Sequence, residues 1–204
     1  SREDLERARE LGQFLILRVD GLSEGAKATM QKMYEQMTKR FEDEGRGKVL
    51  FNTEWYGQGE DFFIGDTVRF TWALQSTGVL NGSTNRDYLA QTKGRATFLR
   101  DEVFKDRELP EEFRVALEEL EANRAEIRQL LDSREDALAN KRLAGLQINQ
   151  LLSRLPAETI YDFITRFLNT GERILPNAYD RSARLSSYGR LVLVGDCAEG
   201  GACV

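Results

Sequence analysis

The chain has 204 residues, 41% of them hydrophobic and 31% charged, and a formal net charge of −5. That length suits one domain or two small ones, and the composition builds a core, which excludes wholesale disorder. The acidic balance argues against binding a nucleic-acid backbone; the lack of histidine removes the commonest general base and most zinc sites.

The first pattern is a seam. Leu5, Ala8, Gly12, Leu15, Val19, Leu22 and Ala26 recur at steps of three and four, and Met30, Met33, Met37 and Phe41 continue them. This heptad spacing predicts one long helix over about 3–43, kinked near Gly21 and Gly25. At 1.5 Å per residue it is a rod of ~60 Å, whose apolar stripe needs other long helices beside it.

An irregular insertion over about 44–85 follows. Within it, Trp55-Tyr56-Gly57-Gln58-Gly59-Glu60-Asp61-Phe62-Phe63 concentrates aromatics and acids between glycines. Trp55, Tyr56, Glu60, Asp61, Phe62 and Phe63 are the candidate binding residues. Aromatic walls with a few polar groups make a ligand pocket or an interface hot spot; the same rings also serve to cap the end of a helical bundle. Asp66 is placed to cap a short helix over Thr67–Leu74.

A helical region over about 86–175 comes next. Pro110 with Glu111 and Glu112 marks a helix start. Apolar positions from Phe113 to Leu155 give either one helix or two meeting near Asp132-Ser133. Pro156 opens another, bounded by Gly171. The charges from Arg114 to Arg128 read as a solvated face with modest i,i+3 and i,i+4 support. The stripe Leu15, Val19, Leu22 is expected to pack against Leu130, Leu131 and Leu138.

Residues 176–204 read as an extended C-terminal arm carrying the run Leu191-Val192-Leu193-Val194. Cys197 and Cys203 flank Gly200-Gly201, and a chain turning back there brings two Cα atoms within the ~4.4–6.8 Å of a disulfide. A bond between them implies an oxidising, extracytoplasmic compartment; the alternative is two free thiols on a tail.

The expected fold is all-α, a single domain over 1–204: an elongated, coiled-coil-like bundle of long antiparallel helices. No Walker, dinucleotide, Ser-His or calcium-loop signature is present. The expectation is a non-enzyme with no cofactor and no metal. Its partner is a protein, or a second copy meeting it through helices and arm. No nucleic acid is implied, and no apolar run reaches the roughly 18 residues of a membrane span, so a membrane enters only through segments outside this chain.

Ala73-Leu74-Gln75 followed by Gly78, a long charged helical stretch, and Leu146-Gln147-Ile148-Asn149-Gln150-Leu151-Leu152 together resemble bacterial all-helical extracytoplasmic sensor domains of the nitrate- and nitrite-sensing family. That family carries basic residues directly after the Leu-Gln pair, where the anion is met. Ser76 and Thr77 stand there in this chain, which leaves the anion contact without its cations. The resemblance implies an extracytoplasmic sensing or signalling domain, periplasmic or extracellular. The alternative is an assembly subunit of a secretion apparatus, surface filament or virion.

Overall fold

Helix α1 (Arg2–Glu10) ends after 9 residues. Gly12 takes a φ of +66°, a left-handed conformation that glycine adopts without a Cβ clash, and strand β1 (Gln13–Arg18) follows. The computed structural model describes residues 1–76 and 78–204, without the side chain of Glu24; Thr77 lies outside the described residues. The rod over 3–43 is therefore not formed. Its seam hid a second pattern: Ile16 and Arg18 are buried while Leu15 and Leu17 are exposed, the two-residue period of a strand. Helicity resumes in α2 (Met30–Asp43), where Thr29 accepts a hydrogen bond from the Lys32 amide at 3.2 Å.

Strand β2 (Thr71–Ser76) pairs antiparallel with β1, placing Leu15 opposite Leu74 and Leu17 opposite Trp72. The helix expected over Thr67–Leu74 is replaced by this strand. Asp66 caps nothing there; its carboxylate accepts from Arg184 Nε at 2.7 Å. Between α2 and β2 the chain makes the short helix α3 (Asp61–Ile64).

The helical half follows. Helix α4 (Tyr88–Phe98) starts on Asp87, whose side chain accepts from the Ala90 amide at 2.7 Å, and runs on as a π-helical turn over Leu99–Val103. Helix α5 (Glu111–Asp132) begins behind Pro110 and stops at Ser133, ahead of α6 (Asp136–Gly145) and α7 (Gln147–Leu152). Helix α8 (Pro156–Thr170) has proline in its first turn and closes on Gly171 at φ +74°.

The C-terminal region is no free arm. It folds as the antiparallel sheet β3 (Tyr179–Leu185), β4 (Leu191–Ala198) and β5 (Gly201–Cys203). Val192, Val194, Cys197 and Ala202 are buried, which secures the sheet to the core. Ala202 also forms a parallel bridge with Leu50. Gly201 permits that approach: its φ is +101°, and a Cβ there would meet the Leu50 carbonyl carbon at 2.5 Å.

Helix accounts for 49% of residues and strand for 17%. The fold is mixed α/β rather than an all-α bundle or coiled coil. Leu15 and Leu138, expected to be coupled across the bundle, are both exposed. Two apolar clusters hold the molecule. One joins α2, the aromatic segment, α8 and β4 around Phe41, Tyr56, Phe62 and Phe163. The other joins α4 to α7 around Leu89, Leu120, Ile127 and Ile148. No helix among the described residues is long and apolar enough to cross a membrane.

The expected disulfide is absent, and both cysteines are free. The β4–β5 ladder sets Gly195, not Cys197, opposite Cys203. Residues two positions along a ladder are ~7–8 Å apart, beyond the Cα separation that a disulfide spans. The argument for an oxidising compartment goes with the bond. Burial pushes the Cys197 thiol up to about 12, so it is an inert apolar group rather than a nucleophile.

Candidate interaction surface

The aromatic segment divides. Tyr56, Phe62 and Phe63 are core residues, with Tyr56 fully buried. The Tyr56 ring meets Phe63 at 5.2 Å and Phe62 at 6.0 Å between centroids, edge-on to the first and tilted to the second, arrangements that suit the ring quadrupole. The Tyr56 hydroxyl donates to the Phe51 carbonyl at 3.2 Å. Glu60 faces inward, its carboxylate accepting from the Ser187 amide at 2.9 Å and the Ser187 hydroxyl at 2.6 Å. Asp61 is exposed in the first turn of α3. Trp55 lies over these rings, 5.1 Å from Tyr56 and 5.9 Å from Phe62, with 48% of it exposed. The structure thus brings together four aromatics as a cap on the first core, with one of them at the surface.

The larger exposed apolar surface lies on the β1–β2 ribbon. Strand alternation puts Leu15 and Leu17 on its outer side, opposite Leu74 and Trp72. Phe70, the residue before Thr71 at the start of β2, is exposed as well. Exposure is 68% for Phe70, 63% for Trp72 and 45% for Leu15, and Leu17 and Leu74 are also exposed. Gln13 and Ser76 complete this face at the far end of the ladder, so none of its six positions is ionisable. Sequence reasoning missed this set because helical spacing assigned Leu15 to a core stripe and Trp72 to a capped helix. A period-two signal was present in Phe70, Trp72 and Leu74, whereas Phe14-Leu15-Ile16-Leu17 is a continuous apolar run that carries none.

The inner side of the ribbon is fixed by charge. Arg18, buried at the end of β1, donates from Nε and Nη2 to the two carboxylate oxygens of Asp162 on α8, at 2.9 and 2.7 Å. Its Nη1 lies 3.5 Å from Glu158. Arg69, just before β2, donates to both oxygens of Glu158 at 2.6 and 2.8 Å. Arg154 bridges Asp162 and Asp180. Three arginines thus face three carboxylates. Full pairing is what makes buried ions tolerable. Burial acts to raise the Glu158 carboxyl, but the Arg69 hydrogen bonds, the Leu155 amide and the Arg18 charge outweigh it and hold the group below its ordinary value.

This arrangement presents a rigid, uncharged apolar plate. It offers no nucleophile–base pair, and among the described residues no cluster of three or more metal-ligating side chains converges. Of the residues carrying the sensor resemblance, Leu74 is exposed on the plate and Gln75 is buried beneath it. Comparison with family models, curated proteins and solved structures gives no match.

Proposed function

We propose that this chain is a non-enzymatic binding domain that works by self-association, two copies meeting through the outer face of the β1–β2 ribbon. The observation that supports this reading is the set Leu15, Leu17, Trp72 and Leu74, exposed together on one ribbon face, with exposed Phe70 directly before it in the chain. At ~200 Å² per side chain they leave about 500 Å² of apolar surface in water. That matches the largest patch of a typical monomer, often a functional one, and most of the ~800 Å² each partner gives to a stable interface. Aromatics at the centre of such a patch are the usual anchors.

A second copy is the partner that fits. A chain of net charge −5 repels its own copy over most of its surface. A face without ionisable groups avoids that repulsion, and a two-fold pairing sets apolar against apolar. Sedimentation or light scattering across a concentration series tests this. The expected result is a dimer that Trp72→Glu converts to a monomer with unchanged circular dichroism. A monomer at all concentrations, or a dimer indifferent to Trp72→Glu, overturns it.

A further inference from the structure

An open cleft of about 560 Å³ lies between α4 and the loop 80–83, with Arg128 of α5 also lining it. A hollow of about 420 Å³ shares Lys93 and Arg128 with it. Its size falls in the range of small-ligand sites, ~300–1,000 Å³. Neither Ala73-Leu74-Gln75 and Gly78 nor the stretch 146–152 lines it.

The charges of the cleft do not cancel. Asp101 is paired with Arg100 at 2.6 Å, and Glu102 with Arg7 at 3.3 Å. Arg128 is held by Asp87 at 3.0 Å. Arg86 and Lys93 also line the cleft, and among the described residues neither has a carboxylate within ion-pair distance. Two uncompensated cations thus share a concavity on an acidic chain. Arg86 stands just before the Asp87 cap of α4 and Lys93 in its second turn, and both line the same cleft. Leu80, Ala90 and Phe98 supply an apolar wall.

The local backbone keeps the cleft in this form. Gln91 Nε2 donates to the Ser83 carbonyl at 2.7 Å, tying the loop to the helix. Gly82 at φ +68° lets the loop pass the Arg86 guanidinium, which would lie 3.3 Å from a Cβ there. Gly94 lines the cleft from inside α4, and a Cβ on it would meet nothing within 4 Å. An interior helical glycine destabilises a helix relative to alanine, and no neighbour's packing requires this one; an open cleft wall accounts for it.

We propose that the cleft binds a small phosphomonoester, its dianionic head between Arg86 and Lys93 and its apolar body against Leu80, Ala90 and Phe98. A phosphomonoester carries close to two negative charges at neutral pH, matching two free cations.

Calorimetric titration with phenyl phosphate tests this, alongside inorganic phosphate and phenol as separated head and body. Phenyl phosphate is expected to bind one per chain and about tenfold more tightly than inorganic phosphate, with phenol silent. Arg86→Gln weakens it about tenfold. Gly94→Ala raises the thermal midpoint, through helix propensity, yet weakens binding severalfold because its methyl enters the cleft. That opposite pair of effects separates a binding role from a structural one. No saturable binding at about 10 mM, affinity equal to that of inorganic phosphate, or affinity unchanged in both variants overturns the proposal.

Discussion

Arg18 and Asp162 are separated by 144 residues and meet in a two-pronged ion pair closed to solvent. Asp162→Asn leaves the Arg18 charge buried without its main partner, and the expected loss is about 3–5 kcal/mol, read from denaturant midpoints. Arg18→Met with Asp162→Leu strands neither neighbour: Glu158 keeps Arg69, and Arg154 keeps Asp180. The double variant is therefore expected to be more stable than Asp162→Asn alone. Simple addition of two single losses would show that the residues are not coupled.

Acid should act through Glu158. Its folded-state carboxyl lies below the ordinary value of 4.5, so the unfolded chain takes up the proton first. Its contribution is complete above that value and is lost as pH falls through it toward the lower folded one. Urea midpoints measured at stepwise lower pH are expected to decline across this window, and Glu158→Gln flattens the decline. A slope identical in the variant would place the acid sensitivity elsewhere.

The two thiols should differ. Cys197 is fully buried with its ionisation suppressed, whereas Cys203 is partly exposed. Brief alkylation of native protein isolated without reductant is expected to add one label, at Cys203, with the second appearing only on unfolding. An intact mass two protons lighter, with no label taken, would restore the disulfide.

Much of the helical half was legible in the sequence because its signals are local. Pro110 and Pro156 open α5 and α8 and Gly171 closes α8; of the two alternatives for 113–155 the break at Asp132-Ser133 is the one seen, with a further break between α6 and α7 that was not expected. The N-terminal half misled because Leu15 fits both a helical and a strand period, and only Gly12 decides between them. Arg18 occupies an inward position that an apolar residue would normally fill, and its reason, Asp162, lies on another helix. The aromatic segment announced itself by composition, but composition does not tell a core cap from a surface. Arg128 read as a solvated helix charge, and Arg86 and Lys93 drew no notice, because the cleft they share is made by loop 80–83 lying against α4.

The pairing of distant strands carries a cost in time. β1 waits for β2 and α8, and the segment around Leu50 waits for Ala202. Contacts of such long range slow folding, because loop closure is unfavourable until both ends meet. On the ribosome, Met30, Met33, Phe41 and Tyr56 emerge well before α8 and β4 exist to cover them. These apolar residues thus stay uncovered until β4 has emerged, a state in which chaperone engagement and aggregation compete.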